Sequence, residues 1–400
     1  MESETQSPST AMNDHSHSHS DHACGFVPPY IFEALLQSRG ASDEQRSDAQ
    51  ETLNVSQSLR QQRLDVETLD VSQALPPGTP NIQVYDWGTT KEQLAREQDS
   101  PKSKDRVVNS CFNGLSMVAT SIEGIADEFF PTVGTVYEFF SKVFGHTSMP
   151  LKGYVHYTSF DRSINNYMNA IFFNKAVYFG DGDEDTLNYF ANGLDVIAHE
   201  VVHGITESFM LKNATSGPPY ITHQNQTGAL NESLSDVFAS MIEQYRRQQT
   251  VEQADWLLGE GIISVNSKMA AIRSMKAPGE AYRNSPVFGS DPQPRHMNKY
   301  NFTTGDNGGV HINSGIPNHA FYLAATRIGG YSWEGAGKIW WAAYTKVPAG
   351  CNFAKFASLT VDAATGHQRD VIRKVWEDVG VLQPVQVSPG TGNNQQAEYA

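Results

Sequence analysis

Apolar positions recur along this chain with more than one period. At residues 24–36 the chain turns abruptly apolar: Cys24-Gly-Phe-Val-Pro-Pro-Tyr-Ile-Phe-Glu-Ala-Leu-Leu predicts an extended stretch set by two prolines, then a short helix. Residues 40–75 are polar and rich in Gln, Asp and Glu, with spaced leucines and valines. Pro76-Pro77-Gly78-Thr79-Pro80 breaks regular structure and marks a domain boundary. Ile82-Gln-Val-Tyr-Asp alternates as a strand does. Helical spacing governs 112–146, carried by Val133, Val136, Tyr137, Phe140 and Phe144. Gly153–Tyr157 and Asn169–Phe179 read as strands, the second closed by Gly180-Asp-Gly-Asp. Beyond residue 190 the helical period dominates to about 380, and no internal repeat is apparent. The pattern predicts an α+β protein with a strand-bearing first lobe and a helical second lobe. Residues 1–22, rich in Ser, Asp and His, and the polar residues 385–400 read as disordered tails.

Composition narrows the classes of function. A chain of 400 residues, 39% of them hydrophobic, can build two lobes around a cleft. Lys and Arg total 29 against 44 Asp and Glu, a net charge of −15, which argues against nucleic acid or an anionic membrane surface as partner and suits bound cations. No run approaches the ~20 apolar residues that span a bilayer. Cys24, Cys111 and Cys351 form no disulfide framework, and the latter two read as buried small hydrophobes. The polar N-terminus lacks the apolar region of a secretory signal, so the expected location is the cytoplasm, or outside the cell by a route without a leader. His15, His17, His19 and His22 suit loose metal chelation by a flexible tail.

Three blocks carry chemistry. In Asp195-Val-Ile-Ala-His199-Glu200-Val-Val-His203-Gly, the two histidines are one turn apart on one face of an apolar helix. Both imidazoles can point at one ion, and Glu200 at the edge of that face can hold a metal-bound water; the alternative is a pair of core histidines satisfied by hydrogen bonds. In Asn231-Glu232-Ser-Leu-Ser-Asp236, two acids one turn apart lie on a second amphipathic helix, where buried carboxylates need a partner or a metal. Glu232 can complete a His₂Glu zinc set with an open fourth position, and Asp236 can orient an imidazole through its other nitrogen; a surface acid is the alternative for Asp236. In Asp306-Asn-Gly-Gly-Val-His311-Ile-Asn-Ser-Gly, the two glycines permit a tight loop that presents His311, with Asp306 positioned to fix its tautomer.

Together these blocks resemble the thermolysin-like zinc metalloproteases, or gluzincins, over roughly residues 81–382. The resemblance implies a two-lobed thermolysin-like fold: a strand-rich lobe at 81–224 that includes the His-Glu-x-x-His helix, a mainly helical lobe at 225–384, and the zinc site in the cleft between them. It implies His199, His203 and Glu232 as zinc ligands. Glu200 becomes the general base acting on the zinc-bound water, and Asp236 the partner of His199. His311, oriented by Asp306, becomes the oxyanion stabiliser. Asn169 and Ala170 match the edge strand that binds substrate backbone, and Arg273 the arginine that holds the carbonyl after the scissile bond. Val196, Leu258, Ile262 and Ile272 match the apolar pocket that sets cleavage before a bulky hydrophobic residue. Where the family has a second, tyrosine oxyanion stabiliser, this chain has His223, with Tyr220 near it. The 29 positions from His203 to Glu232 exceed the spacing in thermolysin, the extra residues lying in Met210–Tyr220. Asp195, Glu243, Asp255 and Glu260 match calcium acids, but Leu257 stands where another is expected, so one calcium ion is expected beside the one zinc.

Residues 23–80 resemble the short propeptide of protealysin-like members through Pro28-Pro29-Tyr30-Ile31-Phe32, with Phe32 where leucine is usual. This implies a zymogen processed near 76–80, with protein substrates and its own propeptide as partners and a monomer as the default state. The family is mostly secreted. Cys24, just before the motif, is a candidate thiolate latch on the zinc, or an unremarkable propeptide thiol. The leading function is a zinc endopeptidase. A zinc aminopeptidase fits less well, because no motif for a free amine is present. An inactive relative that binds metals or a partner would need neither Glu200 nor His311.

Overall fold

The computed structural model describes residues 25–66, 81–86, 107–112, 115–120, 125–147, 151–158, 166–213, 224–348 and 350–384. The chain opens with helices α1 (Pro29–Gln37) and α2 (Asp43–Val66), then strands β1 (Asn81–Asp86), β2 (Val107–Phe112) and β3 (Leu115–Thr120), helix α3 (Ile125–Phe144), and strands β4 (Leu151–Val155), β5 (Ala170–Phe173) and β6 (Ala176–Phe179). Helices α4 (Leu194–Asn213) and α5 (Asn225–Arg247) follow, then the short strands β7 (Leu257–Leu258) and β8 (Arg273–Ser274). Helices α6 (Asp306–Asn313), α7 (Gly315–Ile328), α8 (Ala336–Tyr344), α9 (Phe353–Ala363) and α10 (His367–Asp378) complete the described order.

Local chemistry sets the first elements. Pro29 occupies the first turn of α1, where its missing N–H costs nothing. Helix α2 starts at a reciprocal cap: the Gln45 N–H donates to Ser42 Oγ at 3.0 Å and the Ser42 N–H to Gln45 Oε1 at 2.9 Å. Its described buried residues are Asp48, Ala49, Thr52, Ser56 and Leu59, three of the five polar, so the apolar period there is faint.

The strands form one sheet in the order β2-β3-β1-β4-β6-β5, parallel except for the antiparallel pairs β2–β3 and β5–β6. The apolar run at 169–179 is two strands rather than one. Asn174 and Lys175, both at positive φ (48° and 61°), make the two-residue turn between them. Both faces of this hairpin are covered, which explains its continuous hydrophobicity. Ala170, Phe172, Val177 and Phe179 pack into the main core. Ile171, Phe173, Ala176 and Tyr178 form a second cluster with Tyr157, Tyr167 and Leu59 of α2. Strand β5 is the sheet edge that faces α4.

Two more expectations need revision. Residues 115–120 are strand, not helix; the Asn113-Gly114 dipeptide between β2 and β3 is the hairpin signal at that point. Residues 248–305 carry only β7, β8 and short 3₁₀ turns, because Pro278, Gly279, Pro286, Gly289, Pro292 and Pro294 punctuate the helical period. The 76–80 boundary and both tails lie outside the described residues.

Helix α5 is buried without a break from Gly228 to Ile242, packed against α4 on one side and α7 and α8 on the other. Behind it, Trp376 of α10 stacks on Trp340 of α8 with centroids 5.8 Å apart and donates its indole N–H to Thr360 Oγ1 at 2.8 Å. Trp376→Ala is expected to cost about 3–5 kcal/mol by leaving a cavity. Urea unfolding followed by far-ultraviolet circular dichroism measures this.

Candidate active site

Helix α4 carries His199 and His203 on one buried face, with their Nε2 atoms 3.1 Å apart. Two imidazoles on one tetrahedral zinc, at Zn–N of about 2.0–2.1 Å, hold their nitrogens about 3.3 Å apart. The other ring nitrogens are occupied: His199 Nδ1 bonds Asp236 Oδ1 at 2.8 Å, and His203 Nδ1 bonds Ser235 Oγ at 3.2 Å. Both nitrogens aimed at the shared point are therefore available to a cation. From α5, Glu232 brings Oε2 to 3.3 Å from His199 Nε2 and Oε1 to 3.7 Å from His203 Nε2. Neither oxygen is held by a close hydrogen bond, although Glu232 is buried. A buried carboxylate left in that state beside two convergent imidazoles suits a dication, so the expected zinc donors fit.

Glu200 is also fully buried and adjoins these donors. Its Oε2 accepts the Phe172 N–H of β5 at 2.6 Å, and its Oε1 has no hydrogen-bond partner. Burial pushes its carboxyl up to about 8 in the metal-free protein; His199 pulls it down and the Glu232 charge adds to the rise.

His311 arrives on a strained turn. Asp306, Asn307, Gly308 and Gly309 all have positive φ, from 50° to 85°. At Gly308 a side-chain carbon would also lie 2.3 Å from Asn225 Oδ1, so only glycine fits. The turn folds Asp306 back onto His311. Its Oδ1 lies 2.6 Å from Nδ1, and its Oδ2 accepts the His311 backbone N–H at 2.9 Å. Nε2 of His311 then faces the cleft, 3.4 Å from Glu232 Oε2.

Asp236 joins two parts of the site. Besides His199, it takes the Arg273 guanidinium through Nε at 2.9 Å and Nη2 at 2.8 Å, and the Asn318 amide at 2.8 Å. Burial alone would raise its carboxyl; Arg273 and His199 outweigh that and hold it down at about 2. The link to Arg273 and the roles of Asn318 and Ser235 were not readable in sequence. Asn318 follows the third motif closely and Ser235 lies inside the second, but no spacing rule singles them out.

The cleft is not open. Gly25 pairs with Ile171 of β5 in an antiparallel bridge. The Phe26 N–H donates to the Ala170 carbonyl at 3.0 Å, and the Phe26 carbonyl accepts from Arg273 Nη1 at 2.7 Å. Asn169 clasps the next residue, accepting the Val27 N–H at 2.8 Å and donating to the Val27 carbonyl at 3.0 Å. The Gly25 carbonyl meets His311 Nε2 at 3.0 Å. The Phe26 ring stands edge-on to His199 at 5.2 Å and lies under the guanidinium at 4.4 Å. Val196, Leu258, Ile262 and Ile272 are all buried around this region. A carbon added at Gly259 would touch Ile272 at 2.7 Å and Phe26 at 2.9 Å, and one at Gly193 would touch Val196 at 2.7 Å and Ile262 at 3.2 Å.

The four calcium-matching acids share less. The Asp195 carboxylate accepts the N–H groups of Val196 at 2.9 Å and Gly259 at 2.5 Å. Glu243 pairs with Arg247 at 2.6 Å, and Arg247 lies 3.6 Å from Asp255; Asp255 and Glu260 are exposed. Cys24, Tyr220 and His223 fall outside the described residues, and the long insertion begins as the last turn of α4, through Asn213.

Asp236→Asn keeps the shape of Asp236 but removes the charge that faces both His199 and Arg273. Zinc affinity is expected to fall about 10–100-fold, read by titration against a chromogenic chelator.

Comparison with known proteins agrees with this geometry. The catalytic-domain model of the thermolysin metallopeptidases matches residues 44–207, and their alpha-helical-domain model matches 220–381. An extracellular metalloprotease of Pectobacterium carotovorum subsp. carotovorum is 39% identical, over 90% of this chain and 96% of its own. Protease PrtS of a Photorhabdus species is 33% identical, over 89% of this chain and 92% of its own. The solved precursor of protealysin, a metalloproteinase from Serratia proteamaculans, is 35% identical and superposes with a TM-score of 0.68, covering 90% of this chain and 100% of that one. The His-Glu-x-x-His helix, the second acidic helix and the Asp306–His311 turn thus sit in a thermolysin-like fold, and this chain belongs to the thermolysin metallopeptidase family, as a metalloendopeptidase for which the family implies zinc.

Proposed function

We propose that this chain is the zymogen of a zinc endopeptidase that cuts peptide bonds before bulky hydrophobic residues. The observation that carries the reading is the seating of Gly25 and Phe26 on β5, backbone to backbone, with the Phe26 ring beside Gly259 and Ile272 in the core that also holds Val196, Leu258 and Ile262. Strand addition of this kind gives affinity through the main chain and selectivity through a side-chain pocket. A protein substrate needs the same surface, so the segment excludes it.

His199, His203 and Glu232 would hold the zinc, which supplies Lewis acidity for the attack of water on a carbonyl. Glu200, through its unpartnered Oε1, accepts a proton from the attacking water and delivers it to the leaving amine. His311, fixed by Asp306, donates to the oxyanion. Arg273 holds the carbonyl after the scissile bond, and Asn169 holds the residue beyond it.

Residues 25–66 hold the lock in place. Apolar Ile31, Phe32 and Leu35 of α1 are buried in the main core. From α2, Asp48 accepts from Asn166 at 3.0 Å and Thr52 from the Met168 N–H at 3.1 Å. Removal at the Pro/Gly segment 76–80 would free this whole layer from the catalytic lobes. The relatives named extracellular support action outside the cell. Among the described residues no helix is long and apolar enough to cross a membrane.

Metal-chelated protein is expected to lose casein hydrolysis and regain it with zinc. Glu200→Gln is expected to lower kcat about 10²–10⁴-fold while zinc still binds; activity retained in that variant would overturn the assignment. A single calcium among Asp195, Glu243, Asp255 and Glu260 competes with the Arg247 guanidinium. Its affinity is therefore expected to be weak, about 0.1–1 mM, and to tighten in Arg247→Ala when measured by calorimetry.

A further inference from the structure

The segment in the cleft blocks the site, and its alignment also matters. Its chain runs antiparallel to β5, and its contacts fall in consecutive register. The Gly25 carbonyl is on His311, the Phe26 N–H on the Ala170 carbonyl, the Phe26 carbonyl on Arg273, and both Val27 backbone groups on Asn169. The carbonyl at the oxyanion stabiliser is the one that water attacks, and the carbonyl at the arginine belongs to the residue after the cut. The bond between them is Gly25–Phe26. The His311 Nε2 that meets the Gly25 carbonyl is itself 3.4 Å from Glu232 Oε2, and the Phe26 ring stands against His199, so the bond borders two of the expected zinc donors. Gly25 is also fitted to its place. A side-chain carbon there would lie 2.7 Å from Asn169 Nδ2 and 2.8 Å from the Ala170 carbonyl.

We propose that the Gly25–Phe26 bond is itself a substrate of this active site, cut within the same molecule and separately from processing near 76–80. This rests on the endopeptidase reading. The step is a hydrolysis. Water adds its oxygen to the Gly25 carbonyl carbon, the C–N bond to Phe26 breaks, and both water protons end on the Phe26 nitrogen, the first carried there by Glu200 and the second leaving the new Gly25 carboxyl. The products are a Gly25 carboxylate and a Phe26 ammonium. Residues 26–66 stay docked through Phe26, the buried side of α1 and the polar contacts of α2, so the cut product continues to fill the cleft. Residues 1–25 have only Gly25 attached among the described residues, and they leave. The first cut thus trims the histidine-rich tail without opening the site, and activity waits for the second.

The test starts from full-length protein purified in chelator. Zinc is then added, and intact mass and N-terminal sequence are followed at two protein concentrations, with casein hydrolysis measured in parallel. The expected result is a new N-terminus at Phe26, at a rate that does not change over a tenfold range of protein concentration, absent in Glu200→Gln. Phe26→Asp, which puts a carboxylate against the apolar pocket, is expected to abolish the cut at this bond and to bring casein hydrolysis on earlier. In the wild-type protein, casein hydrolysis that develops while the 25–26 bond stays intact overturns the inference, and so does a first-order rate constant for this cut that rises in proportion to protein concentration. If zinc-loaded Phe26→Asp hydrolyses nothing, with its lock unseated, the endopeptidase reading itself falls.

Discussion

The Asp236 carboxylate is the constraint on which the rest of the site depends. It is fully buried, and it survives as an anion because four N–H groups converge on it: one from His199, two from Arg273 and one from Asn318. One of those partners is a proposed zinc ligand and another is the proposed holder of the substrate carbonyl. Metal geometry and substrate geometry are therefore set by one charge. Stripping a partner from a buried pair of this kind costs about 3–5 kcal/mol, far more than an exposed pair contributes. The arginine has little freedom to drift, since its remaining nitrogen is already committed to the chain in the cleft.

Strand β5 plays the matching part on the other wall. Its Phe172 N–H fixes one oxygen of Glu200, while its Ala170 carbonyl and Ile171 backbone bind the incoming segment. The same four residues therefore position a proposed catalytic base and a peptide at once. A sheet edge is ordinarily exposed to pairing with another chain. Here residues 25 and 26 already occupy that edge, and in the proposed reading a substrate would pair there in their place.

The convergence of the proposed ligands was legible in sequence because it rests on i, i+4 spacing. His199 and His203, and Glu232 and Asp236, share helix faces whatever the tertiary context. His311 was legible because a turn of consecutive positive-φ residues leaves a glycine-rich trace. Asn318, Ser235 and the second bond of Asp236 were not, since each depends on how separate helices meet. Helix α2 escaped for a different reason. Its buried stripe is partly Thr and Ser, chosen for polar contacts with residues 166–168, so its apolar period is weak although its Ser42–Gln45 cap was there to be read. Residues 169–179 were seen as extended but not as a hairpin, because Asn174-Lys175 lacks the glycine that usually announces such a turn.

The layer formed by α2 has a colloidal consequence as well. Its Leu59 and Val55 cover a patch of Tyr157, Tyr167, Ile171, Phe173 and Tyr178, on the face of the hairpin opposite the main core. If, as proposed, α2 departs on processing, that aromatic patch meets water, and apolar patches of that kind drive association between molecules. On that reading the segment is a solubility device as much as a lock, and the lifetime of the processed form depends on how dilute it is.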